Sequence, residues 1–310
     1  MPVSWGEQPP DMQKLGRNYI LQVGTPGGGT LTITLPFTIE FDITRNTLTS
    51  ANVCSIRIYN LSAVNRNQIR FNVMDGGIFQ PVVLQAGYGQ SLATIFKGNI
   101  TQAWSVREGT NFVTTIESFD GGYAFNNGFV NTTFPAGTSQ RTVVQTVAGT
   151  LPYVSVGSIS TSKFLNASGA PATLQRGNPV SGSSVDILDK LTGGGFFIDN
   201  SKVNVLNDNE CVPGGIPLID DSAGLLATPV RELTKMTFDM IFEPRLLAGQ
   251  MVNLQSAEGT ANLANFNGTY KVVGIKHRGM ISGAVCGDAV SSVELFYGTQ
   301  GPAGLSTVSP

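Results

Sequence analysis

The chain has one histidine, His277, the side chain best suited to moving protons near neutral pH. Catalysis by an imidazole requires a nucleophile and an orienting partner. No Gly-x-Ser-x-Gly stands near His277, and Arg278-Gly279 follows it in an apolar strand pattern, so it reads as a structural residue. Asp208, Glu210, Asp220 and Asp221 form the densest acidic group. Asn207-Asp208-Asn209-Glu210 lacks the glycine and terminal glutamate spacing of a calcium loop and reads as a solvated turn. Asp186 and Asp189 fall near the start of a helical pattern, where carboxylates answer the helix dipole. Asp239 and Glu243 would suit glycoside cleavage only if space, not sequence, set them the right distance apart. Neither Gly27-Gly28-Gly29 nor Gly193-Gly194-Gly195 is followed by the Gly-Lys-Ser/Thr of a phosphate loop. Trp5 and Trp104 are too few for a sugar-stacking platform. Cys54, Cys211 and Cys286 are odd in number and far apart, which argues for free thiols rather than a metal knuckle or a disulfide framework. These residues predict no catalysis, no cofactor and no metal.

Composition narrows the class. The 310 residues are 41% hydrophobic, enough for real cores and for two or three domains. Only 13% are charged, against about 25% in typical globular proteins. Much of the surface is therefore Ser, Thr, Asn and Gln, which is easier to desolvate than Lys and Glu at an interface. A net charge of −2 and the lack of any Lys/Arg run give no footprint for specific nucleic-acid binding. Such a surface can line a channel through which nucleic acid slides without sticking. No apolar run approaches the ~18 residues of a membrane span, and the polar stretch Met1–Leu15 does not read as a signal peptide.

The elements that would position these residues are mostly strands. Phe37–Ile43 and Thr237–Glu243 alternate apolar and polar side chains, the second blurred at Ile241. Further strands are expected at Tyr19–Val23, Thr30–Leu35, Val53–Tyr59, Val82–Tyr88, Thr94–Ile100, Ile100–Val106, Asn111–Phe119, Met251–Leu254, Tyr270–His277 and Val290–Tyr297. Asn267-Gly268 reads as a hairpin turn. Between the β regions, Thr138 or Ser139 is placed to cap one helix and Ser183 or Ser184 a second, Gly193-Gly194-Gly195 to end the second, and Asn200-Ser201 to turn a hairpin. Residues 151–182 are polar, with Gly and Pro scattered through them, and no element is expected there. The expected fold is mainly β with a small α+β part: an arm (1–18), a tube-like β-barrel domain (19–125), a middle α+β domain (126–228), a second tube-like β-barrel domain (229–298) and a tail (299–310).

Asn52–Ser62, with Asn60-Leu61 at its end, resembles the strand-to-helix signature of phage baseplate hub proteins, the family of the T4 hub and the late-control D proteins of P2-like phages. Ala86-Gly87-Tyr88 with Phe96-Lys97-Gly98 resembles that family's next element. Asp186–Leu191, Phe196–Asp199 and Val203–Leu206 are similar to its middle domain, and Gly268–Gly279, with Tyr270, Val272, His277 and Gly279, to its final barrel. The order of these pieces, over about residues 35–298, carries the resemblance. It implies a structural protein of the virion at the distal end of a phage tail, assembled in the bacterial cytoplasm. Three copies with two barrels each would make a ring of six, between a hexameric tail tube and a trimeric spike or tail tip. A tape-measure protein and passing DNA are further implied partners. Two other readings remain open on the residues: a virion-associated host-surface or carbohydrate-binding β protein, and a tail-associated cell-wall hydrolase.

Overall fold

The computed structural model describes residues 14–25, 28–69, 80–232, 234–255, 267–285, 287–296 and 305–308. Its elements in chain order are β1 (Arg17–Gly24), β2 (Thr30–Thr34), β3 (Ile39–Asn46), β4 (Val53–Tyr59), α1 (Ala63–Ile69), β5 (Pro81–Tyr88), β6 (Ser91–Glu108) and β7 (Asn111–Phe119). A middle region follows: α2 (Gly122–Asn127), β8 (Phe129–Phe134), α3 (Gln140–Ala148), β9 (Ser155–Ile159), β10 (Asn178–Ser183), α4 (Ser184–Thr192), β11 (Phe196–Asp199), β12 (Lys202–Val205) and β13 (Glu210–Cys211). The remainder is β14 (Leu218–Ile219), β15 (Val230–Arg231), β16 (Lys235–Ile241), β17 (Met251–Leu254), β18 (Gly268–Ile281), β19 (Ala289–Phe296) and β20 (Ser306–Thr307).

The alternating segments form strands with one buried face. In β3, Ile39, Phe41 and Ile43 point inward, and in β16 Met236, Phe238 and Met240 do. The blur at Ile241 is a half-exposed strand end, after which Phe242 turns back into a core. Both β regions belong to one 13-stranded sheet, whose main path runs β15-β16-β19-β18-β3-β4-β7-β6-β5-β1-β2. No closed barrel is found among the described residues. The link between the regions is the antiparallel pairing of β18 with β3, from Gly274↔Asn46 to Ile281↔Ile39.

One plan occurs on both sides of this link. β6 pairs through its first half with β5 and through its second with β7, with a bulge between Ile100 and Gln102. β18 likewise pairs with β17 and then β19, with a bulge between Val272 and Gly274. The hairpin β3–β4 lies against β7 as β15–β16 lies against β19. A bulge bends a strand and increases its twist, so it lets one long strand serve two sheet layers.

Separate apolar cores underlie the first β region, the middle region and the second β region. Phe242 and Ile281, from the second half of the chain, are buried in the first core. In the middle region, Ser139 and Ser183 accept hydrogen bonds from the N–H groups of Thr142 and Asp186, and Gly193 ends α4 in the left-handed conformation (φ 64°). Asn200 and Ser201 both have positive φ (50° and 59°) in the β11–β12 turn, as a tight hairpin requires.

Several expectations are corrected. The strand expected from Phe37 starts at Ile39. The strands expected at 94–100 and 100–106 are one, because the bulge bends β6 without ending it. Leu254 pairs with Gly268, so Asn267-Gly268 is not a two-residue hairpin turn. Residues 151–182 contain β9 and part of β10, whose Ser- and Gly-rich sequences hide their pairing.

Candidate functional site

The β3–β18 link lies among several buried polar groups: Arg45, Asn52, Asp120, Asp199 and His277. Arg45 follows Ile39, Phe41 and Ile43 on the inward face of β3, so strand parity drives a guanidinium into the interior. It is 1% exposed. Its Nε and Nη2 donate to Asp199 Oδ1 and Oδ2 at 2.7 and 2.5 Å, and Nη1 donates to the Leu246 carbonyl at 3.1 Å. Asn52 Nδ2 donates to the Ile198 carbonyl (2.9 Å) and to Asp199 Oδ1 (3.3 Å). Asp120 Oδ1 accepts from Ser201 N–H at 2.9 Å. One side chain thus ties the first β region to the middle region at Asp199 and to the second β region at Leu246. A forked, fully desolvated pair of this kind fixes geometry, and removal of either partner leaves a buried charge.

The surrounding pKa values follow from burial. The carboxyl of Asp120 is pushed up to about 7 by desolvation and then by the charge of Asp199, against the N–H donors of Ser201 and Asn200 and the charge of Arg45. His277, opposite Ile43 in β3, is fully buried. Desolvation, with Arg45 nearby, pushes it down to about 3. Its Nδ1 lies 2.9 Å from Ser291 Oγ, and its ring packs edge-on against Phe242 at 5.5 Å. A neutral imidazole wedged between strands is a packing element, as its sequence context indicates.

A second ionic group sits alongside. Glu243, 2% exposed, takes Arg245 at 2.8 and 3.0 Å and Lys14 at 3.6 Å, and Lys14 also donates to the Ala223 carbonyl. Glu243 is therefore tied to cations rather than paired with Asp239, which accepts from Ser292 at 2.5 Å. Glu210 is buried too, so the expected solvated turn is corrected: its carboxylate accepts from Ser162 Oγ (2.5 Å) and Asn207 N–H (2.9 Å). Among the described residues no three metal-ligating side chains cluster, and no helix is long and apolar enough to cross a membrane.

The outward face runs unbroken across the link. Strand parity places Glu40, Asp42, Arg57, Glu108, Glu117, Lys276, Arg278, Asp239, Glu294 and Lys235 on it. Arg57 bridges Glu40 (2.9 Å) and Glu108 (2.6 Å), Lys276 reaches Asp42 (3.1 Å), and Lys235 reaches Glu294 (3.0 Å). Carboxylates outnumber cations there, and most of the cations are neutralised.

The residues singled out by resemblance are spread over both β regions. Asn60 (φ 59°) hydrogen-bonds Asn111 and Phe112 N–H, and Leu61 is buried below it. A Cβ on Gly87 would lie 2.0 Å from the Ser91 carbonyl, so the β5–β6 hairpin requires glycine there. Tyr88 donates to the Phe242 carbonyl at 2.8 Å. Phe96 is buried, and Gly98 lies against Phe96 and Phe119. Tyr270 and Val272 are in the core of the second β region. Gly279 faces Ala289 so closely that a Cβ would meet its Cα at 2.7 Å. His277 and Gly279 lie in the β3–β18 link itself, opposite Ile43 and Phe41, and Tyr88 and His277 both reach Phe242. The sequence reading missed Arg45, Asp199 and Asp120, although an arginine in inward register on β3 was the available signal.

This architecture is that of phage tail and tail-like proteins. A 43 kDa prophage tail protein from Shewanella oneidensis superposes with a TM-score of 0.55 at 9% identity, over 90% of this chain and 96% of that one. A tail protein from Neisseria meningitidis gives 0.51 at 11% identity, over 93% and 99%. An Escherichia coli type VI secretion component, described as similar in structure to T4 tail proteins gp27 and gp5, gives 0.54 at 8% identity, over 88% and 77%. No curated protein matches the sequence. The family model for baseplate hub gp41 matches residues 20–278, and the chain belongs to that family. It is a structural component of a phage tail.

Proposed function

We propose that three copies of this chain form a ring of six β units that joins the tail tube to the spike or tail tip and lets DNA pass. The observation that carries this reading is the β3–β18 link, which sets two units of one plan side by side in a single sheet. Three such chains give six units around a common axis, each unit standing where a tube-like domain was expected, at about residues 19–125 and 229–298, as part of one sheet rather than as a closed barrel. The two ends of the sheet differ in a way that suits the task. The β6–β7 and β18–β19 hairpin tips lie at the end marked by Tyr59, Glu108 and Ile281, so that end repeats twice per chain. The middle region (about 126–228) leaves from Phe119 at the opposite end, next to the β3–β4 loop, where Thr49 Oγ donates to the Gly194 carbonyl. It occurs once per chain. The first end therefore suits a six-fold partner and the second a three-fold one. The unbroken, ion-paired outward face suits the lumen, since an unpaired basic lining would release counterions and hold DNA. Asp120 and His277, both shifted well away from their ordinary values, are buried at the junction, which supports a non-enzymatic role. Light scattering of the purified protein should give the mass of three chains, and electron micrographs down the axis should show six lobes. A monomer, or a ring with another number of lobes, would refute the reading.

A further inference from the structure

We infer that a cation-lined groove between β6, the β11–β12 turn and the chain that follows β16 takes an extended acidic segment of another tail protein. The inference goes beyond the ring proposed above, and only the placing of the groove on its outer wall rests on that reading.

Two adjoining cavities make the groove. One, of about 410 Å³, is lined by Thr94 and Lys97 of β6, Asn200 and Lys202 of the β11–β12 hairpin, and Arg245 and Leu247. The other, of about 340 Å³, shares Asn200, Lys202 and Leu247 with it and runs on to Val156 and Ser158 of β9. Lys97 and Lys202 are exposed, and among the described residues neither has an ion-pair partner. Arg245 is tied to Glu243, which also takes Lys14, so two cations share that carboxylate. Asp199 is the one carboxylate on the lining of either cavity, and Arg45 holds both its oxygens. Positive side chains therefore gather here without carboxylates to answer them, in a chain whose net charge is −2.

Like charges gathered in this way repel one another, and an anionic occupant relieves the repulsion. The shape of the groove favours a peptide over a compact ion. β9 is the edge strand of the sheet β11-β12-β9. Its Ser155 N–H turns inward to the Ser201 carbonyl, so the next N–H along, that of Val156, faces the open side. Val156 is 41% exposed. An extended chain laid in the groove adds a strand at β9 and sets acidic side chains against Lys202 and Lys97. DNA is not the occupant, because the groove does not face the lumen. The first core lies between the layer of β1, β5 and the first half of β6 and the face of β3, β4 and β7. Lys97, exposed on the former layer opposite Val83 of β5, points away from the carboxylate-rich outward face. In the ring that side is the outer wall, open to neighbouring tail proteins.

The probe is a fluorescein-labelled peptide of alternating Glu and Ser, followed by fluorescence anisotropy with the purified chain at low salt. Wild type should bind it and release it as salt rises, and the matching Lys–Ser peptide should not bind. K97E/K202E should weaken binding by about tenfold or more. R176E/K190E makes the same change in net charge at two exposed cations outside the groove and should bind as wild type does. No binding by wild type, or an equal loss in both variants, would overturn the groove. Displacement by inorganic phosphate at equal ionic strength would show a small-anion site and overturn the peptide. Light scattering of the same samples keeps this inference apart from the ring. Three-chain particles that do not bind the peptide would overturn the groove and leave the ring standing. Single chains that bind it would leave the groove standing and overturn the ring.

Discussion

Two buried groups near Arg45 should have opposing effects on stability as pH changes, and single substitutions should expose each. Asp120 titrates near 3.8 when unfolded and at about 7 in the folded chain. The native state keeps a proton that the unfolded chain loses, so stability falls as pH rises from about 4 to 7. His277 goes from 6.5 to about 3. Here the unfolded chain gains a proton that the native state refuses, so stability falls as pH drops from 6.5 toward 3. Each effect is worth about 1.4 kcal/mol per pH unit. Between pH 4 and 6.5 they run in opposite directions and nearly cancel. D120N, which can still accept from Ser201 N–H, removes one of them. Relative to wild type it should lose about 3 kcal/mol on going from pH 6.5 to 4. H277N should gain a similar amount over the same range, whatever its overall cost. Urea unfolding followed by far-UV circular dichroism at pH 4, 5, 6 and 7 measures both slopes. If both variants run parallel to wild type, the buried carboxyl and imidazole do not titrate as their surroundings dictate.

R45A should cost about 3–5 kcal/mol by stranding the Asp199 carboxylate, and R45M/D199N should cost less than the two single changes added together; a loss under 1 kcal/mol in R45A would refute the role of the junction. F242A should cost about 3–5 kcal/mol, seen as a lower urea midpoint, because Phe242 fills the core of the first β region. Cys54 and Cys211 are buried free thiols, pushed up by desolvation in both cases; they should resist alkylation until the chain is denatured, and mass spectrometry of the same sample reports on Cys286, which lies outside the described residues. The purified chain should not clear peptidoglycan or host polysaccharide, and clearing abolished by one carboxylate substitution would contradict a purely structural role.

Strand positions were legible because each β region buries one face, and a one-residue slip would turn Ile39, Phe41 and Ile43 outward. Helix ends were legible to within a residue or two where local chemistry sets them: of Thr138 and Ser139 the cap is Ser139, of Ser183 and Ser184 it is Ser183, and Gly193 is the first of the three glycines that end α4. The seam between β3 and β18 was not, because pairing between distant strands leaves no local pattern. Glu210 was misread for a related reason: its partners Ser162 and Lys271 come from elsewhere in the chain. The junction was half legible. Arg45 breaks an apolar parity and Asp199 ends the fully buried strand Phe196–Asp199, but nothing in the sequence says that the two meet.

The pairing of β18 with β3 also sets an order of events during synthesis. Thr38 and Ser282, hydrogen-bonded at 2.6 Å, are 244 residues apart. The first β region leaves the ribosome with the edge of β3 bare and with no Phe242 to complete its core. At about 5–20 residues per second, that edge waits on the order of ten seconds or more for its partner. Until β18 arrives, an exposed strand edge invites pairing with other nascent chains. Contacts of such long range also slow folding. Chaperone dependence during expression, and insoluble product from fragments ending before Gly268, are the practical costs of building two units into one sheet.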